Sequence, residues 1–224
     1  MSNYQKIIDE LKKTNTQLVA VSKTKPVDDI MALYQQGQRI FGENKVQELI
    51  DKYALLPKDI QWHLIGHLQT NKVKYIVPFI ACIHSVDSLK LLFEINKEAK
   101  KINRAIKVLI QVHIAQEDSK FGVDETTLFE ILEYYTHENT SLQNIEIVGL
   151  MGMATLTEDR AQIESEFLKL KKLFDYVAET YLFHKKNFKE ISMGMSGDYQ
   201  IAIRFGSTMV RIGSLLFGNR NYKS

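Results

Sequence analysis

Lys23, Arg211 and the serines and glycines around them are the residues of this chain whose types and placement can do chemistry. Lys23 stands in Ser22-Lys23-Thr24-Lys25-Pro26, directly after a short apolar run. A lysine amine can act as a nucleophile and condense with a carbonyl. Arg211 stands among apolar neighbours in Met209-Val210-Arg211-Ile212-Gly213-Ser214. A guanidinium inside an apolar strand is costly without an anionic or hydrogen-bonding partner, so this one asks for a ligand. After Gly213, the run Ser214-Leu215-Leu216-Phe217-Gly218 can form a short helical turn. Its free N–H groups and the Ser214 hydroxyl would face a phosphate, and Gly213 lets the backbone approach closely. Ser196, in Ser192-Met193-Gly194-Met195-Ser196-Gly197-Asp198, offers a second hydroxyl. Taken singly, the lysine reads as solvated and the glycine–serine clusters as turns.

These residues need a scaffold that brings them together. Eight β-like runs, at 18–22, 39–43, 61–66, 82–86, 107–114, 145–154, 190–196 and 208–213, alternate with helical segments. Ile163, Phe167, Leu170, Phe174 and Val177 share one helix face, and Thr157-Glu158-Asp159 suits its start. Leu128, Ile131, Leu132 and Tyr135 form a similar stripe after Asp124, a good N-cap. The pattern predicts an α/β chain folded as a (β/α)8 TIM barrel, which typically takes ~250 residues. The competitor is a doubly wound open sheet, but no Gly-rich dinucleotide fingerprint follows the first run. No linker or low-complexity tract divides the chain, so one domain over residues 1–224 is expected. In such barrels the site lies at the C-terminal strand ends, often with phosphate after strands seven and eight. Strand eight closes against strand one, which makes Arg211 and Lys23 neighbours.

The mouth then combines an amine, a phosphate cradle and a permanent cation. Those are the needs of pyridoxal 5′-phosphate: a Schiff-base lysine, an anchored phosphate and a partner for the ring nitrogen. The chain also resembles the pyridoxal phosphate homeostasis protein family. The matching stretches are Ala20-Val21-Ser22-Lys23-Thr24-Lys25-Pro26, Phe41-Gly42-Glu43-Asn44, His63-Leu64-Ile65-Gly66-His67-Leu68-Gln69-Thr70-Asn71-Lys72, Ser192-Met193-Gly194-Met195-Ser196-Gly197-Asp198 and Val210-Arg211-Ile212-Gly213. The resemblance implies a barrel like the alanine racemase N-terminal domain, with Lys23 as the Schiff-base lysine. It also implies Arg211 beside the pyridine nitrogen, and Ser196, Gly213 and Ser214 on the phosphate. Asn44 is expected near the cofactor, with a structural turn as the alternative. Two positions depart from the family: Lys45 stands where an aromatic is expected, and Ser214 where threonine is usual.

An arginine cannot accept the ring proton. The ring nitrogen then stays unprotonated, which makes the cofactor a weak electron sink. Racemisation remains chemically open, but in racemases its second base comes from another domain that this chain is expected to lack. The first hypothesis is therefore a carrier in vitamin B6 homeostasis that holds the cofactor and hands it to dependent apoenzymes, with no catalytic residues of its own. The alternative is a single-domain amino-acid racemase or lyase, distinguished by substrate-dependent loss of an α-proton. A third is a barrel enzyme acting on a phosphorylated metabolite, which would lack a lysine-linked chromophore.

The remaining features set limits. With 29 basic and 27 acidic residues, the net charge of +2 suggests no nucleic-acid surface. No signal peptide or membrane-length apolar run is evident, so a cytoplasmic home is expected by default, and the resemblance suggests a monomer. Cys82, the sole cysteine, sits in Ala81-Cys82-Ile83 and reads as a buried inert thiol. No metal is expected: His63 and His67 lie four apart, yet they straddle a strand end and its loop. His84 and His113 read as strand residues of the barrel interior, and Met151, Met153, Met193 and Met195 as core filling. Lys120, in Ser119-Lys120-Phe121-Gly122, is a candidate second amine at the mouth.

Overall fold

The structure, a computed structural model, describes residues 2–117, 121–137 and 140–218. Strands β1 (Gln17–Val21), β2 (Ile40–Glu43), β3 (Gln61–Leu64), β4 (Cys82–Val86), β5 (Ile106–Gln111), β6 (Ile145–Met151), β7 (Glu190–Met195) and β8 (Met209–Ile212) form a closed parallel barrel in chain order. Parallel strands buried on both faces read as continuous apolar runs, which is why the β-like runs stood out. The runs at 107–114 and 145–154 overshoot their strands furthest. β5 gives way after Gln111: the Val112 N–H still donates to the Met151 carbonyl of β6, but Val112 also bridges Val123, and the His113 N–H donates to the Val123 carbonyl. β6 stops at Met151, while Ala154 beyond it stays buried.

Helices α2 (Val27–Gln35), α3 (Val46–Leu55), α4 (Val73–Ile76), α5 (Leu89–Lys101), α6 (Glu125–Thr136), α7 (Arg160–Thr180) and α8 (Tyr199–Arg204) connect successive strands. Helix α1 (Asn3–Lys12) precedes β1 and buries Tyr4, Ile7 and Leu11. Asp124 caps α6, its Oδ1 accepting from the Thr127 N–H at 2.8 Å. The start of α7 falls at Asp159, whose Oδ1 accepts from Ala161 and Gln162. Ile163, Phe167, Leu170 and Val177 face the core, with Phe174 partly buried. Among the described residues, no helix is long and apolar enough to cross a membrane.

The barrel closes by pairing β1 with β8, in the register Val19↔Arg211 and Ala20↔Ile212. β8 is followed by the single turn α9 (Ser214–Phe217). β7 carries a register shift between Ser192 and Met195, where Gly194 takes φ +94°. A side chain is strained at that φ, and the resulting bulge re-aims the strand end toward the mouth.

Behind the β1 end lies a buried ionic cluster. Lys52 of α3 donates to Glu43 Oε1, Glu48 Oε1 and the Ser22 carbonyl, each at 2.7 Å. The Ser22 hydroxyl adds a 2.6 Å bond to Glu43 Oε1. Thr24, next to Lys23, sits at φ +65°, a costly place for a β-branched residue, and its N–H is held by Glu48 Oε1. Burial pushes the Glu43 carboxyl above its ordinary range, although Lys52 and Ser22 pull the other way. Removing one partner of such a cluster strands the other in a dry site. Lys52→Met should therefore cost roughly 3–5 kcal/mol in chemical denaturation. Adding Glu43→Gln should recover part of that loss; a single variant as stable as the parent would contradict the account.

Candidate functional site

At the C-terminal face of the strands a cavity of about 660 Å³ opens. Lys23, Asn44, Ser196, Arg211, Gly213 and Ser214 all line it. Residues from both ends of the sequence meet there because β8 pairs with β1. Arg211 is 4% exposed and forms the deep end, while Lys23 is half-buried in the turn after β1.

Arg211 Nη1 donates to Ser192 Oγ at 2.7 Å, and Nη2 to the Gly152 carbonyl at 3.0 Å. Burial pushes the guanidinium down to about 10, with the Asp198 carboxylate opposing. It remains a cation at neutral pH, held by neutral oxygens. Ser196 Oγ accepts from the Gly213 N–H at 3.3 Å, which ties the loop after β7 to the start of α9. Lys25 Nζ donates to the Phe217 and Gly218 carbonyls, holding the far end of α9 against the β1 turn. Asn44 follows β2, and its Oδ1 is buried with no hydrogen-bond partner among the described residues.

Several features of the site were not legible in the sequence. The loop after β6 supplies a wall, Thr155 to Thr157, pinned by Glu166: its carboxylate accepts from the Thr155 N–H and hydroxyl, both at 2.7 Å. The available signal was position alone, a loop at the C-terminal end of a barrel strand. Met153 and Met195 line the cavity, so only Met151 and Met193 are the plain core fillers expected of all four. Lys45 is exposed and lines a separate outer groove with His67, not the cavity. Lys120, the candidate second amine, lies outside the described residues.

The histidines divide. His63 is buried in β3, whereas His67 is at the surface, 3.3 Å from Asp87 and stacked on Phe121. His113 is a correction: it lies just past β5, half-buried, with Nε2 2.9 Å from the Glu117 carbonyl. His84 is wholly interior. Cys82 is buried, and burial pushes its thiol up. The barrel brings His63, Cys82 and His84 within 4.8 Å of one another, a grouping that sequence spacing did not reveal. The facing nitrogens of the two imidazoles are occupied by their own 2.8 Å hydrogen bond.

Burial pushes His63 down to about 3 and His84 well below 6.5, so both are neutral in the folded protein. In the unfolded chain each titrates near ~6.5. Below that value the unfolded state binds more protons than the folded one. Stability from this source is intact above about pH 6.5 and is lost as pH falls towards about 3, by up to ~1.4 kcal/mol per pH unit for each histidine. Denaturant midpoints between pH 7 and 4 should fall more steeply for the parent than for a His63→Gln/His84→Gln variant. Parallel slopes would rule this out.

Comparison with known proteins agrees with this geometry. The alanine racemase N-terminal domain family matches residues 1–221. A protein of Aquifex aeolicus named pyridoxal phosphate homeostasis protein is 42% identical over 207 residues, covering 92% of this chain and 88% of the relative. The human protein of that name is 40% identical over 224 residues, covering 95% of this chain and 80% of the relative. The structure of PipY from Synechococcus elongatus with pyridoxal phosphate bound superposes with a TM-score of 0.83 at 35% identity, over 94% of this chain and 98% of that one. This chain therefore belongs to the pyridoxal phosphate homeostasis proteins, built on the barrel of the alanine racemase N-terminal domain.

Proposed function

We propose that this chain binds pyridoxal 5′-phosphate at the barrel mouth, joined to Lys23 as a Schiff base, and exchanges it with other proteins. The observation that carries the reading is the convergence of Lys23, Asn44, Ser196, Arg211, Gly213 and Ser214 on one cavity. Its volume lies within the range of cofactor pockets, roughly 300–1,000 Å³.

The residues present fit the group. Lys23 offers the amine. Ser196 and Ser214 offer hydroxyls, and the first N–H groups of α9 have no intrahelical acceptor. A Cβ at position 213 would stand 3.3 Å from the Val21 carbonyl, so glycine lets the start of α9 approach the end of β1 closely. The buried, unpaired Asn44 Oδ1 marks a polar group that meets a ligand. Arg211 turns a pure hydrogen-bond donor toward the cavity and suits the lone pair of the ring nitrogen.

The cofactor, when bound, supplies an aldehyde carbon and an electron-withdrawing ring. Arg211 cannot give up its charge near neutral pH, and no carboxylate hydrogen-bonds it among the described residues. It would therefore hold the ring nitrogen without protonating it, which favours holding over turnover. Relatives named for homeostasis rather than for a reaction support the same reading. The recipients would be pyridoxal phosphate-dependent apoenzymes.

Purified protein should show a visible absorption band that borohydride abolishes, leaving the added mass on the Lys23 peptide, and Lys23→Ala should lose the band. Incubation with amino acids in heavy water should show no α-proton exchange above background. A protein that stays colourless with added cofactor would overturn the reading in favour of a phosphorylated metabolite. Rapid exchange would favour the single-domain racemase.

A further inference from the structure

A continuous line of buried hydrogen bonds runs from Arg211 into the barrel interior. Arg211 Nη1 meets Ser192 Oγ at 2.7 Å, Ser192 Oγ meets His84 Nδ1 at 3.0 Å, and His84 Nε2 meets His63 Nδ1 at 2.8 Å. Ser192 and His84 are fully buried, and His63 is 4% exposed. His63 also lines a second cavity, shared with Cys82, Lys107, Glu146 and Glu190 at the opposite, N-terminal end of the barrel. The line thus spans the interior from the mouth to the floor.

Its direction follows from donor counting. A guanidinium can only donate, so Ser192 Oγ accepts from Arg211. The serine hydroxyl has one proton of its own, and His84 Nδ1 is its acceptor among the described residues. His84 Nδ1 is then unprotonated, which places the proton of this neutral imidazole on Nε2. That proton points at His63 Nδ1, so His63 in turn carries its proton on Nε2, at the floor cavity. The reverse arrangement would leave a buried hydroxyl proton with no acceptor, against the rule for protein interiors.

We infer that Ser192, His84 and His63 are positioning residues: a one-way relay, running to the barrel floor, that fixes the guanidinium of Arg211 toward the mouth. The relay supplies acceptors without supplying negative charge. A carboxylate in the place of Ser192 would hold Arg211 as firmly but would neutralise it. The neutral chain adds no negative charge of its own beside the guanidinium, so the Asp198 carboxylate at the cavity wall is the charge that acts on it. The relay's bearing on the cofactor rests on the function proposed above, where the guanidinium meets the ring nitrogen.

The first test needs no cofactor. Two-bond 15N–1H spectra of the histidine rings, assigned with His63→Gln and His84→Gln, should show both as neutral Nε2–H tautomers from pH 5 to 8. The Arg211 Nε–H resonance should shift in Ser192→Ala and in His63→Gln at the far end. An Nδ1–H tautomer at either ring, or an Arg211 resonance indifferent to both variants, would overturn the relay whether or not the protein binds pyridoxal phosphate. The second test uses pyridoxal phosphate itself. Ser192→Ala should weaken its binding on the order of tenfold and move the absorption maximum, with borohydride trapping on Lys23 retained. Ser192→Thr, which keeps the hydroxyl, should restore both. Unchanged affinity and spectrum in Ser192→Ala would sink the link to the cofactor. Loss of trapping in the parent protein would instead refute the Lys23 reading and leave the tautomer result standing.

Discussion

A guanidinium buried inside the barrel is the constraint to which the mouth of this protein answers. Closing the sheet between β8 and β1 sets Arg211 beside Val19, 4% exposed, and such a charge out of water demands oxygen acceptors on every side it presents to protein. Ser192 and the Gly152 carbonyl meet part of that demand from β7 and the end of β6. His84 and His63 extend the arrangement across the interior. Interior positions that other barrels fill with branched apolar side chains are here given over to a polar column.

The opposite choice is made behind the same strand. The cluster of Glu43, Lys52 and Glu48 is charged, compact and turned toward α3. It ties the Ser22 carbonyl and the Thr24 N–H, the two flanks of Lys23, to a helix. A strained turn is thereby fixed from outside the barrel while its lysine lines the cavity. Ion pairs hold the backbone behind the strand, and neutral groups hydrogen-bond the cation at the mouth, where a ligand is proposed to bind. Both serve preorganisation, since a site whose groups are already placed loses less freedom on binding.

Much of this was legible from residues alone. Eight apolar runs found eight strands because parallel strands covered on both faces have no polar alternation to obscure them. The errors at the ends of β5 and β6 arose because apolar sequence reports burial, and Ile114 and Ala154 are buried beyond the last strand residues. The same logic placed Lys23, Arg211, Ser196, Gly213 and Ser214 together, since a barrel puts every strand's C-terminal end at one face. It failed for Met153, Met195 and the Thr155–Thr157 wall, whose residue types carry no chemical signal of their own.

The sequence by itself determined the element order, the capping of α6 by Asp124, the acidic start of α7 and the set of strand ends that could share a cavity. These rest on local rules: periodicity, side-chain capping and alternation along the chain. Only the tertiary structure decided which way each interior side chain faces and what it meets. His63 and His84 are 21 residues apart, and His84 and Ser192 are 108 apart. Their contact depends on strand register and on the bulge in β7, quantities set by the closure of the whole sheet rather than by any stretch of sequence.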